Sequence, residues 1–84
     1  MKLVFADEAW DDYLHWQKQD RKMVERINKL IQEVRRDPFT GVGKPEPLKH
    51  ALAGFWSRRI IHQHGMGYRV QGESMLIAQL RYYY

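Results

Sequence analysis

Cysteine is absent from the 84 residues, which excludes disulfides, thiolate nucleophiles and zinc–thiolate sites. Long apolar runs are missing too. None approaches the ~18 residues a membrane helix needs, and the N-terminal segment lacks a signal-peptide core. There are no repeats, low-complexity tracts, linkers, Gly-x-Ser-x-Gly elbow or phosphate-cradling glycine loop. These absences lead us to expect one cytoplasmic domain over residues 1–84, too short to divide. So small a domain buries a modest core, so a partner or self-association would add stability.

What is present favours folding over disorder. The chain has 44% hydrophobic residues and 11 aromatics (three Phe, three Trp, five Tyr), enough apolar area to form a core. Charge is unevenly placed. Residues 1–43 carry eight Lys/Arg and eight Asp/Glu, whereas residues 44–84 carry six against two, so the whole excess of +4 lies in the second half. A basic half interleaved with aromatics suits a polyanion such as nucleic acid. The plainer reading is that small proteins are often mildly basic.

Residues 1–5 are β-prone and read as a strand. Asp7 is a candidate helix cap, followed by an apolar stripe of Trp10, Tyr13, Leu14 and Gln17. The acids Asp7, Glu8, Asp11 and Asp12 fit the positive end of the helix dipole better than a metal site. Asp20 opens a second helix, with Met23, Val24, Ile27, Leu30, Ile31 and Val34 on one face and Pro38 beyond its end. Residues 39–49 break both periodicities and read as an ordered loop. Strand candidates follow at Phe55–Ile61, His64–Val70 and Ser74–Tyr84. The order β-α-α-β-β-β predicts an α+β fold, with two helices on one face of a small antiparallel sheet and the other face free.

Several residues could carry chemistry on that free face. Glu46 sits between Pro45 and Pro47 and near Lys44 and Lys49, where a rigid carboxylate could take a proton beside a phosphate. Its plainer reading is a solvated loop glutamate. Arg58 and Arg59 are adjacent on a strand and so face opposite ways, which leaves at least one able to meet phosphate. Alternation along the last strand puts Leu76, Ala78, Leu80 and Tyr82 in the core, and Met75, Ile77, Gln79, Arg81 and Tyr83 on the open side. Trp56 reads as a core or rim aromatic. His62-Gln63-His64 has a two-ligand spacing, which keeps metal-assisted cleavage of RNA or DNA as an alternative.

Gly43-Lys44-Pro45-Glu46-Pro47-Leu48-Lys49-His50 and Gly54-Phe55-Trp56-Ser57-Arg58-Arg59-Ile60 resemble the YoeB toxins of the RelE/ParE superfamily. Trp10-Asp11-Asp12-Tyr13-Leu14 and the ending Arg81-Tyr82-Tyr83-Tyr84 fit as well, so the resemblance spans the chain. It implies a RelE-like microbial RNase fold and an mRNA endonuclease acting in the ribosomal A site. It also implies a YefM-like antitoxin, operator DNA bound only by the toxin–antitoxin complex, a possible homodimer, and no metal or other cofactor. By the same resemblance Glu46 would be the general base, Lys49 and Arg59 would hold the phosphate, and Tyr84 would orient the RNA. Lys44, Arg69 and Arg81 are further candidate RNA contacts. Two departures stand out: Gly65 where the family usually has arginine, and Tyr83 where it usually has histidine. Tyr83 is then the candidate proton donor, a weaker acid near neutrality than an imidazolium. A weakened toxin acting mainly as an antitoxin-binding co-repressor is the alternative these departures raise.

Overall fold

The computed structural model describes residues 1–83. The elements are β1 (Lys2–Phe5), α1 (Asp7–Gln19), α2 (Arg21–Arg36), β2 (Glu46–Pro47), a 3₁₀ turn at His50–Leu52, β3 (Trp56–Ile61), β4 (His64–Gln71) and β5 (Ser74–Gln79). The strands form one sheet in the order β1-β5-β4-β3-β2. β3, β4 and β5 form the expected antiparallel meander. β1 instead runs parallel to β5, with Lys2 opposite Ser74 and Phe5 opposite Ile77, so the sheet is mixed. Parallel neighbours need a long connection, and everything from α1 to β4 supplies it. β2 lies inside the segment expected to be loop. Its Pro47 lacks an N–H, which suits only an edge strand. No helix among the described residues is long and apolar enough to cross a membrane.

Asp20 alone joins the helices. Its N–H closes α1 on the Trp16 carbonyl, and its carboxylate accepts the Lys22 N–H that opens α2. α2 buries Met23, Ile27, Leu30, Ile31 and Val34, as its spacing requires. α1 departs from expectation. It buries Ala9, Asp12 and Trp16, while Trp10 and Leu14 are exposed. The buried face was masked by its polar member, because the Asp12 carboxylate turns inward to accept the Leu80 N–H at 2.9 Å. Trp10 instead stacks on Tyr13 outside the core, and both flank Phe5. Asp7 is the first helical residue rather than the cap. Ala6 holds the cap position without a side-chain bond.

The sheet face toward the helices contributes Ile60, Met66, Tyr68, Met75 and Ile77 to the core. Met75 and Ile77 were expected on the open side, with Leu76 and Ala78 inside, so the parity of β5 is reversed. Strict alternation also stops short of the terminus. The β4–β5 register shifts between Gly67 and Tyr68, and β5 ends at Gln79. Beyond it Leu80 is buried, Tyr82 has φ 59°, and the Tyr82 side chain is exposed rather than packed.

Arg58 is the most unusual core residue. It is 0% exposed and spends its donors on neutral oxygens. Nε donates to the Tyr68 hydroxyl at 3.1 Å, Nη1 to the Val42 carbonyl at 3.0 Å, and Nη2 to the Asp37 and Thr40 carbonyls at 2.6 and 2.8 Å. Tyr68 in turn donates its own O–H to the Pro38 carbonyl at 2.8 Å. Burial pushes the Tyr68 phenol above its usual range, so it stays a neutral donor. The Asp37 carboxylate accepts from the Thr40 hydroxyl and the Phe39 and Thr40 amides. These bonds, with a smaller pull from Arg58, hold its carboxyl below the usual range. One strand side chain thus fixes the whole turn that leaves α2. Arg58→Lys keeps a charge but cannot reach these oxygens together, and a buried group left unpaired costs about 1–3 kcal/mol. We expect urea unfolding to register a loss of about 2–4 kcal/mol; a loss within error would contradict this account.

Candidate active site

The face of the sheet away from the helices carries a cleft of about 270 Å³, lined by Lys44, Glu46, Leu48, Ser57, Arg59 and Tyr83. Strand alternation assembles it. Glu46 and Leu48 are two apart along one edge, and Ser57 and Arg59 are two apart along the neighbouring strand, while Lys44 arrives from the turn that precedes β2. Glu46 lies directly opposite Ser57 across the β2–β3 pair. The pairing is extended by the Leu48 N–H to the Phe55 carbonyl at 2.9 Å and the Arg59 N–H to the Gly43 carbonyl at 2.7 Å. Gly43 is required here: at φ 89°, a Cβ would come within 3.0 Å of the Arg59 carbonyl. Lys44 follows at φ 50°, a conformation uncommon for a side-chain-bearing residue, and the strained turn delivers Glu46 to the cleft.

Glu46 and Arg59 are both exposed to solvent. Among the described residues neither side chain makes a hydrogen bond or ion pair, so both remain available to a ligand. The cleft therefore presents one carboxylate, two cations, a serine hydroxyl and a phenol. That set suits an anionic ligand with a proton to give up.

The other candidates lie elsewhere. Lys49 caps the 3₁₀ turn and is not among the residues lining the cleft. Arg69 lies over the Phe55 ring, 5.6 Å from its centroid. Arg81 is wedged between Trp16 and Tyr82, 5.9 and 5.2 Å from their ring centroids, on the α1 side. Tyr84 lies outside the described residues. Trp56 is half-buried against Phe39, with centroids 4.9 Å apart. His62 is in the β3–β4 turn, while His64 is buried and its Nδ1 accepts the Tyr82 N–H at 2.7 Å. Among the described residues no three His, Asp or Glu side chains converge on a common point. Ser57 and Leu48 were missed from sequence. Their period-two spacing with Arg59 and Glu46 was a usable signal once β2 was recognised.

Comparison with known proteins gives the chain its family. A family model for the YoeB-like toxin of bacterial type II toxin–antitoxin systems matches residues 5–84. The Toxin YoeB of Escherichia coli K12 is 57% identical over 84 residues, covering both chains completely. The chain belongs to the YoeB toxin family. Among solved structures, the YoeB/ParE toxin from Agrobacterium tumefaciens superposes with a TM-score of 0.97 at 51% identity, covering 100% of both chains. The Staphylococcus aureus YoeB has been solved as a dimer and in complex with YefM. These match at TM-scores of 0.94 and 0.92 and 40% and 39% identity, over 100% of this chain and 98% of theirs.

Positions 65 and 83 form one feature of the cleft. Gly65 lies opposite Arg59 on β4, on the cleft side. A Cβ added there would meet Tyr83 Cε1 at 2.5 Å and Cδ1 at 2.8 Å, with Ser57 Oγ at 3.2 Å. The Tyr83 ring therefore rests on the bare glycine, in the space a side chain at 65 would need. Its hydroxyl reaches the Ile61 carbonyl at 3.4 Å, a long contact easily exchanged for a ligand. The smallest probe of this seat is Gly65→Ala, which must move the ring. If Tyr83 contributes to RNA cleavage, Gly65→Ala and Tyr83→Phe should each lower it about tenfold, and the double variant no further, as expected for groups acting as a unit. Independent, multiplying losses in a cleavage assay would contradict the seat.

Proposed function

We propose that this toxin is an endoribonuclease that cleaves mRNA, at the ribosome, by metal-free attack of a ribose 2′-hydroxyl on the adjacent phosphate. The observation that carries the reading is the placing of Glu46 among Lys44, Ser57, Arg59 and Tyr83 in one open cleft. Glu46 takes the 2′-hydroxyl proton as the 2′-oxygen bonds to phosphorus. The P–O5′ bond then breaks, leaving a 2′,3′-cyclic phosphate, and the Tyr83 hydroxyl gives its proton to the departing 5′-oxygen. Arg59 and Lys44 face the non-bridging oxygens, whose charge grows in the transition state. Lys49, Arg69 and Tyr84 belong to the same proposal as further RNA contacts, whereas Arg81, expected on the open face, is turned toward α1 and is left out.

The partner proposed for this chain is a YefM-like antitoxin, as in the Staphylococcus aureus complex, with operator DNA bound only by the joint complex. A toxin dimer is proposed on the same footing. The second reading, a weakened toxin whose main role is antitoxin binding and co-repression, is favoured by one observation. Where the family resemblance implies an arginine, the cleft has the bare Gly65 under a neutral ring. Loss of a charge-stabilising donor costs about 10²–10³ in rate.

The test is mRNA cleavage in a reconstituted translation reaction. Glu46→Gln should lower cleavage by about 10²–10⁴, as general-base loss does, with the fold unchanged. Arg59→Ala should weaken RNA binding and reduce its salt slope by about one phosphate contact, while Asp11→Asn leaves both unchanged. Equal cleavage by parent and Glu46→Gln would remove Glu46 from the reaction. A parent that binds antitoxin but does not cleave, and that gains cleavage with Gly65→Arg and Tyr83→His together, would establish the second reading.

A further inference from the structure

Past Gln79 the chain leaves the sheet ladder, and its course is then set mostly by side chains. The Asp12 carboxylate accepts the Leu80 N–H at 2.9 Å, and the Trp16 indole donates to the Leu80 carbonyl at 2.9 Å. The Gln79 amide oxygen accepts the Arg81 N–H at 3.1 Å. At Tyr82 the residue is held on both sides by consecutive residues of β4. His64 Nδ1 accepts its N–H at 2.7 Å, and the Gly65 N–H donates to its carbonyl at 3.0 Å. Tyr82 has φ 59°, a conformation a tyrosine rarely adopts, so its neighbours must impose it. The next residue is Tyr83, whose ring lies on Gly65 in the cleft.

We propose that His64 is the positioning residue for Tyr83: its neutral imidazole latches the Tyr82 amide and thereby seats the Tyr83 ring in the cleft. The latch is a single acceptor atom. A protonated imidazole carries hydrogen on both nitrogens, so Nδ1 would then oppose the Tyr82 N–H instead of accepting from it. His64 is buried, with the edge-on Trp16 ring 4.9 Å away and the Tyr82 ring at 5.2 Å. Titratable and charged groups face it from two sides: Asp12 and His15 on α1, and Arg81 with Tyr82 on the C-terminal segment. Ile61, opposite it on β3, is apolar. Burial, then Arg81 and His15, push its pKa below the ordinary histidine value, against a smaller opposing pull from Asp12. The folded protein thus favours the accepting form. The latch is complete above the unfolded value of about 6.5 and is lost as pH falls through the lower folded value.

The latch itself is a structural inference. Only its consequence for cleavage rests on the ribonuclease reading, so the primary measurement does not use cleavage. NMR spectra of the whole chain from pH 8 to pH 5 would follow the Gly65 Hα protons, which sense the Tyr83 ring current, together with the Tyr82 amide and the His64 ring. Both backbone probes should move with the His64 titration, at one midpoint below that of an ordinary histidine. In His64→Asn the side-chain oxygen can accept the same N–H without titrating, so the Gly65 shift should hold its neutral-pH value throughout. In His64→Ala it should be displaced at every pH. Gly65 shifts that ignore the His64 titration in the parent would overturn the latch, even if neither variant folded. So would a folded His64→Ala that keeps the parent shift. An NMR latch as described in a protein that cuts no RNA would support the latch and contradict the reading of the cleft.

Discussion

A guanidinium buried among neutral oxygens joins the two layers of this molecule. Arg58 projects from β3 toward the helices and gathers the Asp37, Thr40 and Val42 carbonyls and the Tyr68 hydroxyl. Removing a charge from water is costly, and only a full set of well-placed acceptors makes it tolerable. That demand orders the turn after α2, which then continues through Gly43 and Lys44 to Glu46. The next residue, Arg59, projects from the opposite side of the same strand, into the cleft. Alternation along β3 divides the labour: one arginine secures the loop that carries the carboxylate, and its neighbour stands beside that carboxylate.

The C-terminal side of the cleft is held in a different way. Asp12, Trp16 and His64 are polar or partly polar groups buried against the end of β5. Each bonds to the backbone of residues 80–82 rather than to another side chain. The segment that carries Tyr83 therefore depends on α1 as much as on the sheet. Gly65 then leaves room for the ring. The glycine at 65 and the tyrosine at 83 fit each other sterically as a pair.

Much of this was legible in sequence because it follows from simple periodicity. The α2 face, the Asp20 junction and the sequence of elements along the chain come from spacing and turn chemistry. The misreadings have physical causes. The stripe on α1 was misplaced because Asp12, a polar residue, faces inward to satisfy a backbone amide. The parity of β5 was reversed because Met75 and Ile77, not Leu76 and Ala78, meet the helices. The β4–β5 register shift then ended any simple extension toward Tyr83. β2 is hidden in sequence because it is only two residues long, one of them a proline, and so carries no period. The members of the cleft that come from β3 were legible as a basic strand, but the contact between Gly65 and Tyr83 was not. It arises from a tail whose path no local pattern encodes.

The central claim is that this cleft cuts RNA through the substrate's own 2′-hydroxyl. The most direct test is the chemistry of the ends it leaves. Mass spectrometry of an mRNA cut by the purified toxin on translating ribosomes should find a 2′,3′-cyclic phosphate, or its opened 3′-phosphate, on one fragment and a free 5′-hydroxyl on the other. Fragments with a 3′-hydroxyl and a 5′-phosphate would mean that water or a metal-bound hydroxide attacks instead, and the roles given to Glu46 and Tyr83 would be wrong.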